Sequence, residues 1–286
     1  MLTRTFVPTG EKVSVFGFGG IVVKGVEQQQ ANNYVAEAID RGINYFDVAP
    51  TYGDAQDQLG PALQPYRKDV LLACKTGKRT KEAAKEELHE SLRLLKTDHF
   101  DVYQLHGIDD PEEIKTALGP GGALEAIIEA KEKGLVRFIG FSCHDPKAAL
   151  KLMSEYDFDT VLFPINWSYW LNNDAGEQVL KTAKSKNMGR IAMKGLADRK
   201  WREDEEKILP NTWYKPIFDD KRLATLALRF TLSQAVHVAL SPGDIRMLRL
   251  GLDIVENLDK IELSAEEFTE LKERANKVEP IFDHHI

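Results

Sequence analysis

The chain has 286 residues, 43% of them hydrophobic, and a formal net charge of -7. That is enough apolar material for one large core, and there is no basic block able to track a nucleic-acid backbone. Its two cysteines, Cys74 and Cys143, rule out a disulfide framework or a cysteine-ligated cluster within one chain and fit a reducing cytoplasm.

The N-terminal "MLTRTFVPTGEKVSVFGFGG" lacks the apolar run and cleavage site of a secretory leader, and no later stretch reaches the roughly 18 apolar residues of a membrane span. Eight short apolar runs then alternate with helical stretches to the end of the chain: "VSVFGFG", "INYFDVA", "VLLACKT", "FDVYQLH", "VRFIGFS", "TVLFPIN", "GRIAMKG" and "VHVALSP". Their length and their β-branched and aromatic content predict buried parallel strands. Between the third and fourth, Ala84, Leu88, Leu92 and Leu95 share one face of a helix. After the fifth, Asp145 caps a helix that Pro146 opens, and Pro164 marks the end of the sixth run or a bulge in it. Residues 198–220 are long for a connection and predict a lid, a binding loop or a disordered stretch. Ile245, Leu248, Leu252 and Val255 predict a helix after the eighth run, and a last helix starts near Ser264 with Glu267 completing a capping box. The terminal "DHHI" is too short for a purification tag.

Eight β-then-α units without a break in composition predict one domain over residues 1–286, a closed (β/α)8 barrel of the TIM type. An open doubly wound sheet is disfavoured because "GFGGIVVKG" lacks the GxGxxG spacing. In such a barrel the chemistry sits at the C-terminal ends of the strands. Asp47 closes the second run with Tyr52 just beyond it, Lys75 closes the third and His106 the fourth. Singly, each has an ordinary reading: Asp47 as a helix cap, Lys75 on the surface, His106 as a hydrogen-bonded core histidine. Together they suggest more. A buried lysine needs a carboxylate, and a lysine beside a phenol favours the phenolate, which lowers the tyrosine pKa and makes Tyr52 a candidate general acid.

The segment "GINYFDVAPTYG", with "ACKTG" and "YQLHG" following it, resembles the aldo-keto reductase superfamily, whose tetrad runs Asp, Tyr, Lys, His in chain order. The similarity extends from about the first strand to the eighth. It implies that a reduced nicotinamide delivers hydride to an aldehyde or ketone, Tyr52 protonates the oxygen, His106 orients it, and Lys75, held by Asp47, tunes Tyr52. It implies no metal, while the charge balance and the lack of a long apolar run argue against nucleic-acid and membrane partners.

The resemblance also implies cofactor contacts, several in altered form. Ser142 matches the first residue of the carboxamide-binding pair, whereas Cys143 and Pro164 replace the asparagine and glutamine. Asn166, two residues past Pro164, is the substitute donor or else caps the following loop. Met193 replaces the aromatic residue that stacks on nicotinamide, and Lys194 falls at a pyrophosphate contact. After the eighth strand, "SPGDIRMLRLGLD" offers Ser241 and Gly243 at a helix N-terminus, with Arg246 and Arg249 for a 2′-phosphate and Asp244 opposing one. These favour NADPH, with NADH possible. Trp167, Tyr169 and Trp170, with Trp201, Trp213 and Tyr214 of the long loop, either wall a substrate pocket or pack the loop onto the barrel. The long C-terminal loop of many relatives is missing. Two rivals stand beside the reductase: a regulatory protein on the same fold with little turnover, and a lyase or isomerase using Lys75 as a Schiff-base nucleophile.

Overall fold

Each of the eight apolar runs forms a strand, and the strands close on themselves. In the computed structural model, which describes residues 1–173 and 175–282, they are β1 (Phe16–Gly19), β2 (Tyr45–Asp47), β3 (Leu71–Thr76), β4 (Phe100–Leu105), β5 (Val136–Ser142), β6 (Thr160–Pro164), β7 (Gly189–Met193) and β8 (Val238–Leu240). The order is sequential and parallel, with β8 pairing both β7 and β1. This is a (β/α)8 barrel. The terminal "DHHI" lies outside the described residues.

The continuous apolar character of the runs follows from burial on both faces. In β3, Leu72 and Cys74 point into the layer between strands and helices, while Leu71 and Ala73 point into the barrel with Tyr45, Val102, Ile191 and Val238. The same alternation turns Lys75 inward at the C-terminal end of β3. Register then sets neighbours: Asp47 lies beside Ala73, and Lys75 beside Gln104. The N-terminal end of the barrel is stoppered by Phe6, which follows the first strand of a hairpin (Thr3–Thr5 with Lys12–Ser14) and packs edge-on against Tyr45 and His237.

The helices follow their local signals. Ala84, Leu88 and Leu92 are the buried face of Lys81–Leu94. The Asp145 carboxylate accepts from the Ala148 amide at the start of Pro146–Glu155, and Ser264 and Glu267 form both halves of a capping box on Ala265–Ala275. A cap of this kind contributes about 1 kcal/mol. β6 ends at Pro164, which has no N–H to carry the ladder further. None of the described helices is long and apolar enough to cross a membrane.

The long loop after β7 is ordered by its own charges. Ala197–Arg199 pairs with Lys215–Pro216, and the Glu205 carboxylate accepts from Arg199 at 2.7 and 2.9 Å and from Lys215 at 2.8 Å. Asn211 ties it across the mouth by donating to the Lys24 carbonyl at 3.0 Å.

Candidate active site

β2, β3 and β4 bring Asp47, Lys75 and His106 to one side of the barrel mouth, and the turn after β2 returns Tyr52 over them. Lys75 is fully buried and ion-paired with Asp47, and its ammonium also lies 3.4 Å from the Val48 carbonyl oxygen. The same ammonium lies 5.4 Å from the centre of the Tyr52 ring. The His106 ring meets Tyr52 edge-on, with centres 5.9 Å apart and planes at 81°. Thr51, which the sequence did not single out, places its hydroxyl 3.5 Å from His106 Nδ1.

Burial pushes Lys75 toward neutrality, but Asp47 and Tyr52 more than offset this, so its pKa rises and the ammonium keeps its proton. Burial pushes the Asp47 carboxyl up while Lys75 pulls it back. For Tyr52 the expected lowering is corrected: burial, helped by Asp47, outweighs the attraction of Lys75, and the phenol is held above its ordinary value. A phenol that keeps its proton at neutral pH can donate it. Burial, and then the charge of Lys75, brings His106 down to about 3, so the imidazole is neutral. The protonated, ion-paired state of Lys75 also opposes its use as an imine-forming nucleophile, which requires a free amine.

The cofactor candidates divide. Ser142 is buried at the end of β5, and its hydroxyl oxygen accepts from the Gly107 amide at 2.9 Å, leaving its proton free to be donated into the mouth. Cys143 points the other way, into the layer between strands and helices, so it does not replace the expected asparagine. Asn166 is corrected from donor to cap. Its two amide hydrogens go to the Lys194 and Ala197 carbonyls at 3.0 and 2.8 Å, and its oxygen accepts from the Ser168 and Tyr169 amides at the start of Trp167–Asn173. No N–H remains for a carboxamide.

Met193 and Lys194 line the mouth beside Tyr52, and a groove leads from them past Gly19, Ser241 and Gly243. Ser241 accepts from the Gly19 amide at 3.0 Å. The groove runs beneath the strap formed by the long loop: a Cβ at Gly243 would come within 2.2 Å of the Asn211 carbonyl oxygen. Arg246 and Arg249 are both engaged. Arg246 forks onto Asp244 at 2.8 Å and donates to the Ile208 carbonyl at 2.7 Å, and Arg249 forks onto Glu37 at 2.8–3.1 Å. Neither lines the groove.

The aromatic residues sort in the same way. Trp167 is buried among outer-core side chains and donates to the Ala197 carbonyl at 2.9 Å, and Trp170 packs on Phe230. Neither walls the mouth. Trp213 and Tyr214 do, together with Phe282, which the sequence did not indicate. After the last helix the chain returns to the mouth: Ile281 is buried against Ala197 and Tyr214. Nothing in the local pattern around Phe282 signals that docking.

A parallel (β/α)8 barrel with a buried lysine-carboxylate pair, a tyrosine and a neutral histidine at its C-terminal mouth defines an enzyme-like site. The model of the Aldo/keto reductase family matches residues 15–213, and the chain belongs to that family of oxidoreductases. "L-galactose dehydrogenase" of Arabidopsis thaliana is 26% identical, with 98% of this chain and 94% of that protein covered. "Uncharacterized oxidoreductase YqkF" of Bacillus subtilis is 32% identical over 157 residues, which span half of this chain and 49% of that relative. Among solved structures, the holo form of an aldo-keto reductase from Bacillus halodurans superposes with a TM-score of 0.74 over 100% of this chain and 99% of its own, at 24% identity. The last likeness speaks for the fold.

Proposed function

We propose that this chain is an NAD(P)H-dependent carbonyl reductase in which Tyr52 is the proton donor. One observation carries the reading: the fully buried Lys75 ammonium, fixed by Asp47, lies 5.4 Å from the Tyr52 ring, while the neutral His106 meets that ring's edge. When bound, the nicotinamide supplies hydride. Tyr52 gives up its proton to the carbonyl oxygen, and Lys75 stabilises the phenolate left behind. His106, kept neutral, directs one ring nitrogen at that oxygen and holds the carbonyl in place. Asp47 keeps Lys75 charged and aimed.

The donor set at the mouth fits a nicotinamide dinucleotide. Ser142 has a hydroxyl proton available for the carboxamide, Met193 presents a polarizable surface for a ring, and Ser241 and Gly243 line a groove suited to the diphosphate. Because Arg246 and Arg249 are already neutralised by Asp244 and Glu37, we read the enzyme as preferring NADPH only weakly, with NADH also accepted. The substrate is a small aldehyde or ketone, and a cytoplasmic setting accords with the two buried free thiols. The test is a cofactor-oxidation assay over a carbonyl panel with NADPH and NADH side by side. Absence of turnover with every carbonyl, despite dinucleotide binding, would favour a regulatory role.

A further inference from the structure

The mouth pocket has a second pole, opposite Tyr52 and His106, built around Lys194. This residue turns the chain directly after β7 with φ of 64°, and it lines the mouth. Its ammonium lies 5.0 Å from the centre of the Phe282 ring and 5.8 Å from that of Tyr214. Among the described residues no carboxylate forms an ion pair with it. Among the described residues, the two acids that bear on the pocket are committed elsewhere: Asp47 to Lys75, and Asp109 to the His144 ring at 2.9 Å and the Asp145 amide at 2.9 Å. An enclosed ammonium faced by aromatic rings gains some cation–π energy, but this does not replace the hydration it has lost.

Resting on the reductase reading, we propose that the substrate is an aldehyde or ketone bearing a carboxylate, which pairs with Lys194 while the carbonyl lies between Tyr52 and His106. The pocket itself joins the two poles: Tyr52, His106, Lys194 and Phe282 line one cavity, together with apolar Leu162 and Met193. The charges that face it are arranged for an anion. Lys75, His144, Arg79 and Lys194 all disfavour a positive charge on His106, and burial brings Lys194 itself down to about 8 against the weaker pull of Asp109. A carboxylate would restore the lysine's full charge and fill the pole. The cofactor diphosphate is the competing occupant. Lys194 also lines the groove that holds Ser241 and Gly243, but its ammonium lies closer to Phe282 than to Tyr214, and Phe282 packs on His144 and Tyr169.

The experiment compares 4-oxobutanoate with 4-methylpentanal, an isostere in which an isopropyl group replaces the carboxylate. The wild type should favour the acid in kcat/KM by about tenfold or more, the range for gaining a charge-assisted contact. In Lys194→Met the ratio should fall to near one, and Lys194→Arg should restore most of it. A wild-type ratio near one, or a ratio unmoved in Lys194→Met while NADPH affinity drops, overturns the proposal and gives Lys194 to the diphosphate. Succinate, which has no carbonyl to reduce, supplies the independent readout through tryptophan fluorescence of the NADP-bound protein. Succinate bound by the wild type but not by Lys194→Met supports the anion site even if no carbonyl turns over, in which case the reductase reading alone fails. Succinate bound equally by both proteins overturns the anion site.

Discussion

Trp213 leans over Tyr52, ring centres 5.6 Å apart and planes tilted by 51°, and is itself 63% exposed. A large indole left this open is held chiefly by the ring beneath it, so the tip of the long loop rests on the proposed proton donor. Its base is fixed by the Glu205 ion pairs with Arg199 and Lys215 and by Asn211 on Lys24. These ties leave the tip as the part of the loop with the fewest restraints. Trp213→Ala should therefore change relative kcat/KM between bulky and small carbonyls by roughly 1 to 3 kcal/mol. The Glu205 cluster should be protected from hydrogen exchange in the free protein, with faster exchange confined to residues near Trp213. An unchanged substrate ranking would make the indole mere cover.

Removing the phenolic hydroxyl tests the donor directly. Tyr52→Phe should lower kcat by about a hundredfold or more while dinucleotide binding, measured by fluorescence titration, persists. Lys75→Met should also lower kcat, and should lower stability too, because Asp47 would be left buried without its partner. Near-normal turnover by Tyr52→Phe would overturn the assignment.

Cofactor preference tests the arginines. Arg246 must leave Asp244 to meet a 2′-phosphate, so the phosphate gains little over what it replaces. Asp244→Asn frees the guanidinium and should raise the preference for NADPH over NADH, by up to about tenfold. Arg249→Ala should leave the two affinities in the same ratio, since its partner is Glu37. A collapse of NADPH binding in Arg249→Ala would show that the Glu37 pair opens.

Stability should fall in acid. Burial, then nearby positive charge, depresses His237 to about 4 and His106 to about 3, from an ordinary value of 6.5. The fold refuses protons that the unfolded chain accepts below 6.5, so stability present above that pH is lost as pH falls toward these lower values. Each histidine contributes at most about 1.4 kcal/mol per pH unit within its window. Urea unfolding at successive pH values checks this, and His237→Gln should flatten the slope. A midpoint constant between neutrality and mild acid would contradict it.

How far the sequence carried this reading depends on the reach of each signal. Strand length, helix periodicity and the Ser264–Glu267 cap are written within a few residues, so the eight strands and the last helix start were legible. So was the grouping of Asp47, Tyr52, Lys75 and His106, because inward alternation and a shared strand end bring residues on adjacent strands together once the barrel is inferred. Its electrostatics were not: sequence foresaw Lys75 pulling Tyr52 down, but how deeply the phenol is enclosed depends on the whole mouth, and burial won.

The other departures share one physical origin. Arg249 meets Glu37 from 212 positions away, Asn166 spends its amide on carbonyls beyond β7, and Phe282 returns from the chain end to face Lys194. Polar side chains take whichever partner the folded chain brings within hydrogen-bond reach, and local composition does not name that partner. By itself, then, the sequence determined the barrel and the residues gathered at its C-terminal mouth, because both follow from short-range periodicity repeated eight times. Only the tertiary structure decided which donors stay free for a ligand, because that depends on contacts closed across the full length of the chain.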